Sequence, residues 1–266
     1  MYDRFNRNIN YLRISVTDRC NLRCRYCMPE EGVVLKHHSQ ILSFDEIVNV
    51  VKEMAQMGVD KVRFTGGEPL VRKGIVDLVK MVSEIPGIKD IGMTTNGILL
   101  DLYAEQLKQA GLMRVNISLD TLDPEKYAFH TRGGDITKVF SGIEAAKKAG
   151  LLPIKINVVV VDKKDLKTRN ELIDFCTKNE LSIRFIQQMD LDSGEFSVVE
   201  GGTGGDCAKC NRLRLTADGF IKPCLFNELG FSIRELGIKE AITKAVQMKP
   251  EKGSVCHNHQ FFNIGG

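Results

Sequence analysis

The sequence predicts an α/β fold, an incomplete (βα)6 barrel with a small cysteine-bearing C-terminal extension, and three observations carry that prediction. Between residues 11 and 189 short β-branched runs alternate with amphipathic helical patterns. Six such units at crossover spacing require a parallel sheet with right-handed connections, and six is too few to close an eight-stranded barrel, so one side stays open. After Asp190 the alternation stops. The chain therefore divides into 1–189, the partial barrel, and 190–266, the extension.

The strands fall near Tyr11–Val16, Lys61–Thr65, Asp90–Thr94, Arg114–Leu119, Ile154–Val160 and Ser182–Gln188, each rich in β-branched residues. The clearest helix begins at Ser43, whose hydroxyl caps it while Glu46, three residues on, completes a capping box. Asp123 and Asp165 mark further starts, and Gly58, Gly111 and Gly150 mark C-terminal stops. The stretch 190–205 reads as Gly-rich loop with one short strand around Glu195–Val199. A hairpin turning at Ala217-Asp218-Gly219 follows, then a helix at about 232–247 and a tail.

With 266 residues, 43% hydrophobic and 27% charged, the chain has ample material for a core. No stretch approaches the length of a transmembrane helix. The opening MYDRFNRNIN carries charge without an apolar run, so no secretory signal is expected and a cytoplasmic location is. Net charge is +3, from 37 basic and 34 acidic side chains, which gives no reason to expect nucleic acid or a membrane as partner. Eight cysteines in such a chain argue for metal or redox chemistry over disulfides.

Strand alternation adds a message about the barrel interior. Leu12, Ile14, Val62, Phe64, Val115, Ile117, Ile154, Ile156, Ile183 and Phe185 belong against the helices. That turns Arg13, Lys61, Arg63, Thr65, Thr94, Arg114, Asn116, Ser118, Lys155, Asn157 and Arg184 inward. Six of these are cations and no carboxylate is among them. Such charge would be strongly destabilising in a dry lumen, so a wet cavity for a multiply anionic ligand is expected.

Cys20-x3-Cys24-x2-Cys27 follows directly on the first strand, at the C-terminal face where barrel enzymes place their chemistry. Three thiolates can hold three irons of a 4Fe–4S cube and leave the fourth open. A structural zinc wants four ligands, and none follows closely until His37 and His38. A second triad, Cys207-x2-Cys210-x13-Cys224, spans the hairpin, which folds Cys224 back beside the pair. On spacing alone a zinc ribbon with Cys256, His257 or His259 as fourth ligand competes there.

CNLRCRYC resembles the CxxxCxxC signature of the radical S-adenosylmethionine enzymes, and Gly66-Gly67-Glu68-Pro69, just after the second strand, resembles that family's motif for the methionine amino group. The resemblance implies a radical-SAM barrel whose open iron takes the amino and carboxylate groups of S-adenosylmethionine, so that one electron cleaves its C–S bond. It also implies cofactor contacts at Tyr26, Gly66, Gly67 and Glu68, with Thr94 and Ser118 at the methionine moiety or ribose and Met189 by the adenine. DRFNRNINYLRISVTDRCNLRCRYCMP, KVRFTGGEPL, the second triad followed by Asn211-Arg212-Leu213-Arg214-Leu215-Thr216, and Gly265-Gly266 are together similar to the GTP 3′,8-cyclase family of molybdenum cofactor biosynthesis.

That second resemblance runs nearly the whole length. It implies a lyase that cyclises GTP to (8S)-3′,8-cyclo-7,8-dihydroguanosine 5′-triphosphate, with a second 4Fe–4S cluster on Cys207, Cys210 and Cys224 whose open iron contacts guanine. Arg13, Lys61, Arg63, Lys155, Arg184, Arg212 and Arg214 would grip GTP. Arg212, Arg214, Gly265 and Gly266 would act in catalysis, the tail orienting the substrate radical. An electron donor such as flavodoxin or ferredoxin and a homodimer are further expectations. Two departures stand out: Asn6 occupies a position where the family has Gly, and the stretch between Met189 and Cys207 is a few dozen residues short. The alternatives are a related two-cluster radical enzyme acting on another nucleotide or a peptide, and a zinc-binding structural or nucleic-acid module. Cys176, Met54 and Met57 read as packing, His37, His38 and His130 as surface or loop, and Lys163-Lys164 as a solvated turn.

Overall fold

The computed structural model describes residues 1–162, 164–189, 193–194 and 196–257. Among them one continuous sheet has the strand order β6-β5-β4-β3-β2-β1-β7-β8-β9. The first six strands are β1 (Tyr11–Ser15), β2 (Lys61–Thr65), β3 (Asp90–Thr95), β4 (Arg114–Ser118), β5 (Lys155–Val160) and β6 (Ser182–Gln187). They pair in sequence order and in parallel, the partial barrel that the six βα units imply. The connections carry α1 (Phe44–Gln56), α2 (Ile75–Ser83), α3 (Leu100–Gln109), α4 (Pro124–Thr131), α5 (Ile136–Lys148) and α6 (Leu166–Lys178).

Each predicted cap forms. Ser43 Oγ accepts from Glu46 N at 3.2 Å while Ser43 N donates to Glu46 Oε2 at 2.8 Å, and Asp123 and Asp165 accept from amides of the first turns of α4 and α6. Gly58, Gly111 and Gly150 take the positive φ that ends a helix. The apolar residues assigned to the helix-facing side are buried, Leu12, Ile14, Phe64, Val115, Ile117 and Ile156 completely so; Ile183, on the edge strand β6, is half-buried. Cys176 and Met54 are core residues. His37, His38 and Lys164 are exposed and His130 is half-buried, while Lys163 lies outside the described residues.

The extension does more than append to this frame. Its first strand, β7 (Arg212–Leu215), pairs in parallel with β1, and β8 (Phe220–Lys222) and β9 (Phe231–Ser232) continue the sheet antiparallel. The hairpin through Ala217-Asp218-Gly219 is therefore present and welded to the barrel. Two expectations need correction. The helix at 232–247 is two, α7 (Ile233–Leu236) and α8 (Ile238–Gln247), separated at Gly237, whose φ of 80° and ψ of 155° are outside the helical region. The apolar period continues through the break, which is why the pattern reads as one helix. The strand around Glu195–Val199 reduces to a single antiparallel bridge between Glu200 and Phe185 of β6. Glu195 lies outside the described residues and 196–199 are not strand.

Asn6 has a φ of 59°. That left-handed conformation is one Asn tolerates better than other non-glycine residues and one that glycine adopts freely.

Candidate active site

The loop after β1 is fixed by backbone before any side chain acts. Gly67 N donates to Thr17 O and Glu68 N to Arg19 O, both at 2.8 Å. The Gly-Gly-Glu-Pro turn is thus zipped along the segment leading into Cys20. The approach is so close that a Cβ on Gly67 would lie 2.3 Å from Arg19 O, so glycine is required for that packing. Glu68 is buried, and its carboxylate accepts from Leu70 N at 3.0 Å, Thr95 Oγ1 at 2.8 Å and Asn96 N at 2.7 Å. Burial pushes its pKa up, to about 7, against the pull of those donors.

Cys24 and Cys27 sit in one turn, Cys27 N donating to Cys24 O at 2.9 Å. Burial raises the thiol of Cys20 to about 11 and that of Cys24 to about 12, and raises Cys27 further, with charged neighbours opposing ionisation at each. Thiols so crowded surrender their protons to a metal rather than to water. Behind them Tyr26 is hydrogen-bonded to the half-buried Asp120, which also accepts from Val159 N at 2.7 Å.

The second triad lies at the other end of the same strands. Because β7 runs parallel to β1, with Tyr11 opposite Arg212, Cys210 precedes the pair where Cys20 follows it. Cys224 comes just after β8, which is antiparallel to β7, so it returns to the Cys210 end. At about 3.3 Å per strand residue, the triads are separated by roughly 15 Å. Cys210 differs from the first three thiols: burial raises its pKa, but the Lys249 ammonium, the Arg212 amide and the Arg212 guanidinium outweigh it. At Cys224 burial prevails and the thiol is raised.

Between the triads the strand register lays the cations in rows. Arg214, Arg13 and Arg63 lie side by side on β7, β1 and β2, and Arg212, Tyr11 and Lys61 form the neighbouring row. Arg63 lies across Gly92 of β3, where a Cβ would come within 3.0 Å of its guanidinium. Its Nε donates to Tyr11 Oη at 2.6 Å. Lys61 Nζ and Arg212 Cζ stand 5.2 and 5.7 Å from the Tyr11 ring centroid. Burial acts against charge on Arg13 and on Arg214, and their arginine neighbours add to it, bringing Arg214 down to about 10. Burial likewise lowers Lys155 and Arg184, with neighbouring cations adding to the effect.

One expectation fails here: the lumen-facing side of the strands does include a carboxylate. Asp90 opens β3 on that face and pairs with Lys61 at 3.0 Å and with Arg114. Counting alternate residues back from Thr94 through Gly92 reaches it, as the same count reaches Lys61 from Thr65, so its parity could have been read. The floor of the lumen is therefore partly neutralised, and the surplus charge sits in the arginine rows above it.

Cys20, Cys24, Cys27, Cys207, Cys210, Cys224, Tyr26, Gly66, Gly67, Glu68, Thr94, Ser118, Met189, Arg13, Lys61, Arg63, Lys155, Arg184, Arg212 and Arg214 all line one cavity of about 430 Å³. Gly265, Gly266 and His259 lie outside the described residues. Cys256 packs against Leu225 and Phe226, and His257 is exposed; neither lines the cavity. The loop over 201–205 spans the open side, Thr203 O accepting from Arg212 Nη2 at 3.1 Å and Gly201 O from Arg184 Nε at 3.3 Å.

The lining fits the groups that the motifs imply. Two triads of thiol donors face the cavity, and buried Thr94 Oγ1, Asn116 Oδ1 and Asn157 Oδ1 have no protein partner, as polar atoms awaiting a polar ligand would. The polar lining near the first triad is largely uncharged, whereas the cations gather toward the second. Sequence reasoning missed Tyr11, Asn96 and Lys249, which also line the cavity. Tyr11 shares the inward parity of Arg13 and could have been found. Lys249 follows α8 with no periodic signal at all.

Comparison with known proteins bears on this geometry. Residues 14–176 match the radical SAM superfamily and residues 187–255 the Molybdenum Cofactor Synthesis C family. The chain is 41% identical over 314 aligned positions to a GTP 3′,8-cyclase of Alkaliphilus oremlandii, covering all of this chain and 98% of the relative. It is 42% identical over 306 positions to a GTP 3′,8-cyclase of Thermodesulfovibrio yellowstonii, with 94% of this chain and 95% of that one covered. Among solved structures, native anSMEcpe with bound AdoMet superposes with a TM-score of 0.66 at 16% identity, over 96% of this chain and 82% of that one. Streptococcus suis SuiB bound to precursor peptide SuiA gives 0.68 at 17% identity, over 91% of this chain and 65% of that one. These structural likenesses establish the fold alone.

Proposed function

The chain belongs to the radical SAM superfamily and carries a Molybdenum Cofactor Synthesis C region, and from that premise we propose that it is a GTP 3′,8-cyclase, a lyase forming (8S)-3′,8-cyclo-7,8-dihydroguanosine 5′-triphosphate at the first step of molybdenum cofactor biosynthesis. The observation that carries this reading is the shared cavity, with a cysteine triad at each end of β1 and β7 and rows of arginine and lysine between. On this reading Cys20, Cys24 and Cys27 hold one 4Fe–4S cluster and Cys207, Cys210 and Cys224 another. Bound there with S-adenosylmethionine, the first cluster would supply radical chemistry beside the GTP ribose.

The protein's part is binding and orientation. Gly66, Gly67 and Glu68 receive the methionine ammonium, since a buried carboxylate beside an uncharged polar lining favours a cation. Tyr26, Thr94, Ser118 and Met189 line the same end. Arg13, Lys61, Arg63, Lys155 and Arg184 receive the triphosphate through charge-assisted contacts. Arg212 and Arg214, on the strand that follows Cys210, hold the guanosine so that C3′ meets C8, which is a matter of orientation. Gly265-Gly266 serves the same end from the tail.

Anaerobic reconstitution tests the reading: about eight irons per chain, and conversion of GTP to the cyclised triphosphate with S-adenosylmethionine consumed. Four irons with stoichiometric zinc, or cleavage of S-adenosylmethionine without cyclised product, would overturn it. A second reading, a two-cluster enzyme acting on another nucleotide or a peptide, is favoured by one observation. The alignment to the Alkaliphilus protein runs to 314 positions against the 266 residues here, and the stretch between Met189 and Cys207 is short. ATP, CTP and UTP alongside GTP in the same assay separate the two.

A further inference from the structure

Lys249 is 1% exposed, among the most deeply buried side chains in the protein. Its Nζ donates to Arg212 O at 2.8 Å and to Pro223 O at 2.5 Å, and it is hydrogen-bonded to Cys210. An ammonium has three hydrogens, and here each has a partner. Arg212 opens β7 two residues after Cys210, and Pro223 directly precedes Cys224. One side chain therefore ties together both arms of the hairpin that bear these cysteines.

The segment carrying Lys249 is held in turn by the opening motif of the chain. Arg7 Nη2 donates to Pro250 O at 2.7 Å, and its Nη1 to Glu251 O at 3.0 Å and Cys207 O at 2.8 Å. Arg7 Nε pairs with Asp3 at 2.6 Å, both side chains being buried. All three cysteines of the second triad are thus reached by two buried cations. Arg7 has its carboxylate. Lys249 makes no ion pair with a carboxylate among the described residues, and a buried ammonium is strongly destabilising without a countercharge. The anionic groups its position offers are Cys210 and Cys224 as thiolates.

We propose that Lys249 is a positioning residue for the second cluster, fixing and charge-balancing the thiolates of Cys210 and Cys224, with Asp3 and Arg7 as its buttress. The inference rests on the reading that the second triad holds a 4Fe–4S cluster. A fixed cation beside the thiolates favours the more negative, reduced cluster, so its removal lowers the midpoint potential as well as loosening the irons.

The test uses the full chain carrying Cys20→Ala, Cys24→Ala and Cys27→Ala, so that only the second cluster is observed. If this background, with Lys249 intact, takes up zinc and no iron, the cluster reading fails before the inference is reached. Given about four irons, Lys249→Met should lose them to a chelator at about 10- to 100-fold lower concentration. The cluster that remains should titrate at a lower potential by electron paramagnetic resonance. Lys249→Gln, which keeps donors for the two carbonyls but not the charge, should show the same downward shift, and it serves if the Met variant does not fold. Unchanged chelator resistance and potential in a folded variant would overturn the proposal.

Discussion

Replacing Arg13 by Met should make the ligand-free protein more stable while weakening its hold on a triphosphate. Arg13 is the middle of three arginines in register, with Arg214 and Arg63 on the adjoining strands, and burial and both neighbours act against its charge. Adjacent strands are about 4.8 Å apart, so splayed guanidiniums stand at about 7 Å. The Coulomb repulsion at that distance is about 2.4 kcal/mol per neighbour at an effective dielectric of 20, and about 0.6 kcal/mol in bulk water. For a wet cavity between these limits, two neighbours sum to about 2 kcal/mol. Met retains most of the stem's packing, so relief of repulsion dominates and the melting temperature should rise by about 4 °C. Meanwhile the lost charge-assisted contact should weaken GTP binding by about 10- to 150-fold. Calorimetric melting of the reconstituted protein, with and without GTP, reads both effects. A variant that melts lower than the parent without nucleotide would refute the reasoning, because Arg13 would then contribute more to the fold than its neighbours' repulsion takes away.

Three further predictions follow from the same geometry. Asp90→Asn removes the countercharge of Lys61 and Arg114, so GTP affinity should rise by about 1 kcal/mol while thermal stability falls; a loss of affinity on titration calorimetry would count against the assignment. Burial raises the Tyr11 phenol, but Arg63, Arg13 and Arg212 bring it down to about 8. Above that pH a phenolate cancels one cation, so GTP affinity should decline as pH rises through 8 in the parent and stay level in Tyr11→Phe, and matching pH profiles would dismiss the idea. Gly67→Ala would place a methyl 2.3 Å from Arg19 O, displacing the loop that bears Cys20; iron content should drop by half, with the second cluster retained, and a full complement would show the loop to be more yielding than its packing suggests.

The strands and caps were legible in the sequence because each depends on neighbours a few residues away: period two places Leu12 against Arg13, and Ser43 needs only Glu46. The cavity lining was legible for the same reason, since inward parity is a local property. What escaped was set by contacts between distant segments. Lys249 gains its meaning from carbonyls of Arg212 and Pro223, and nothing around it forecasts burial. Asp90 has the inward parity of Thr94, but its role comes from Lys61 and Arg114 on the neighbouring strands. The break at Gly237 hides within an unbroken apolar period, and the bridge at Glu200 depends on where β6 leaves its free edge.

The placement of β1 bears on how the chain must be made. This strand is translated before the others of the sheet, yet one of its edges is covered by β2 and the other by β7, with Tyr11 paired to both Lys61 and Arg212. A half-formed sheet therefore leaves the ribosome with its central strand bare along one side, a template for unwanted pairing. All six βα units must emerge before that edge is sealed, and closure across so long a loop is slow. The cation-rich lumen is open to solvent in that interval, and β7 extends its wall while bringing Cys210 into place. Synthesis order thus makes the earliest strand the last of the barrel strands to gain its second neighbour.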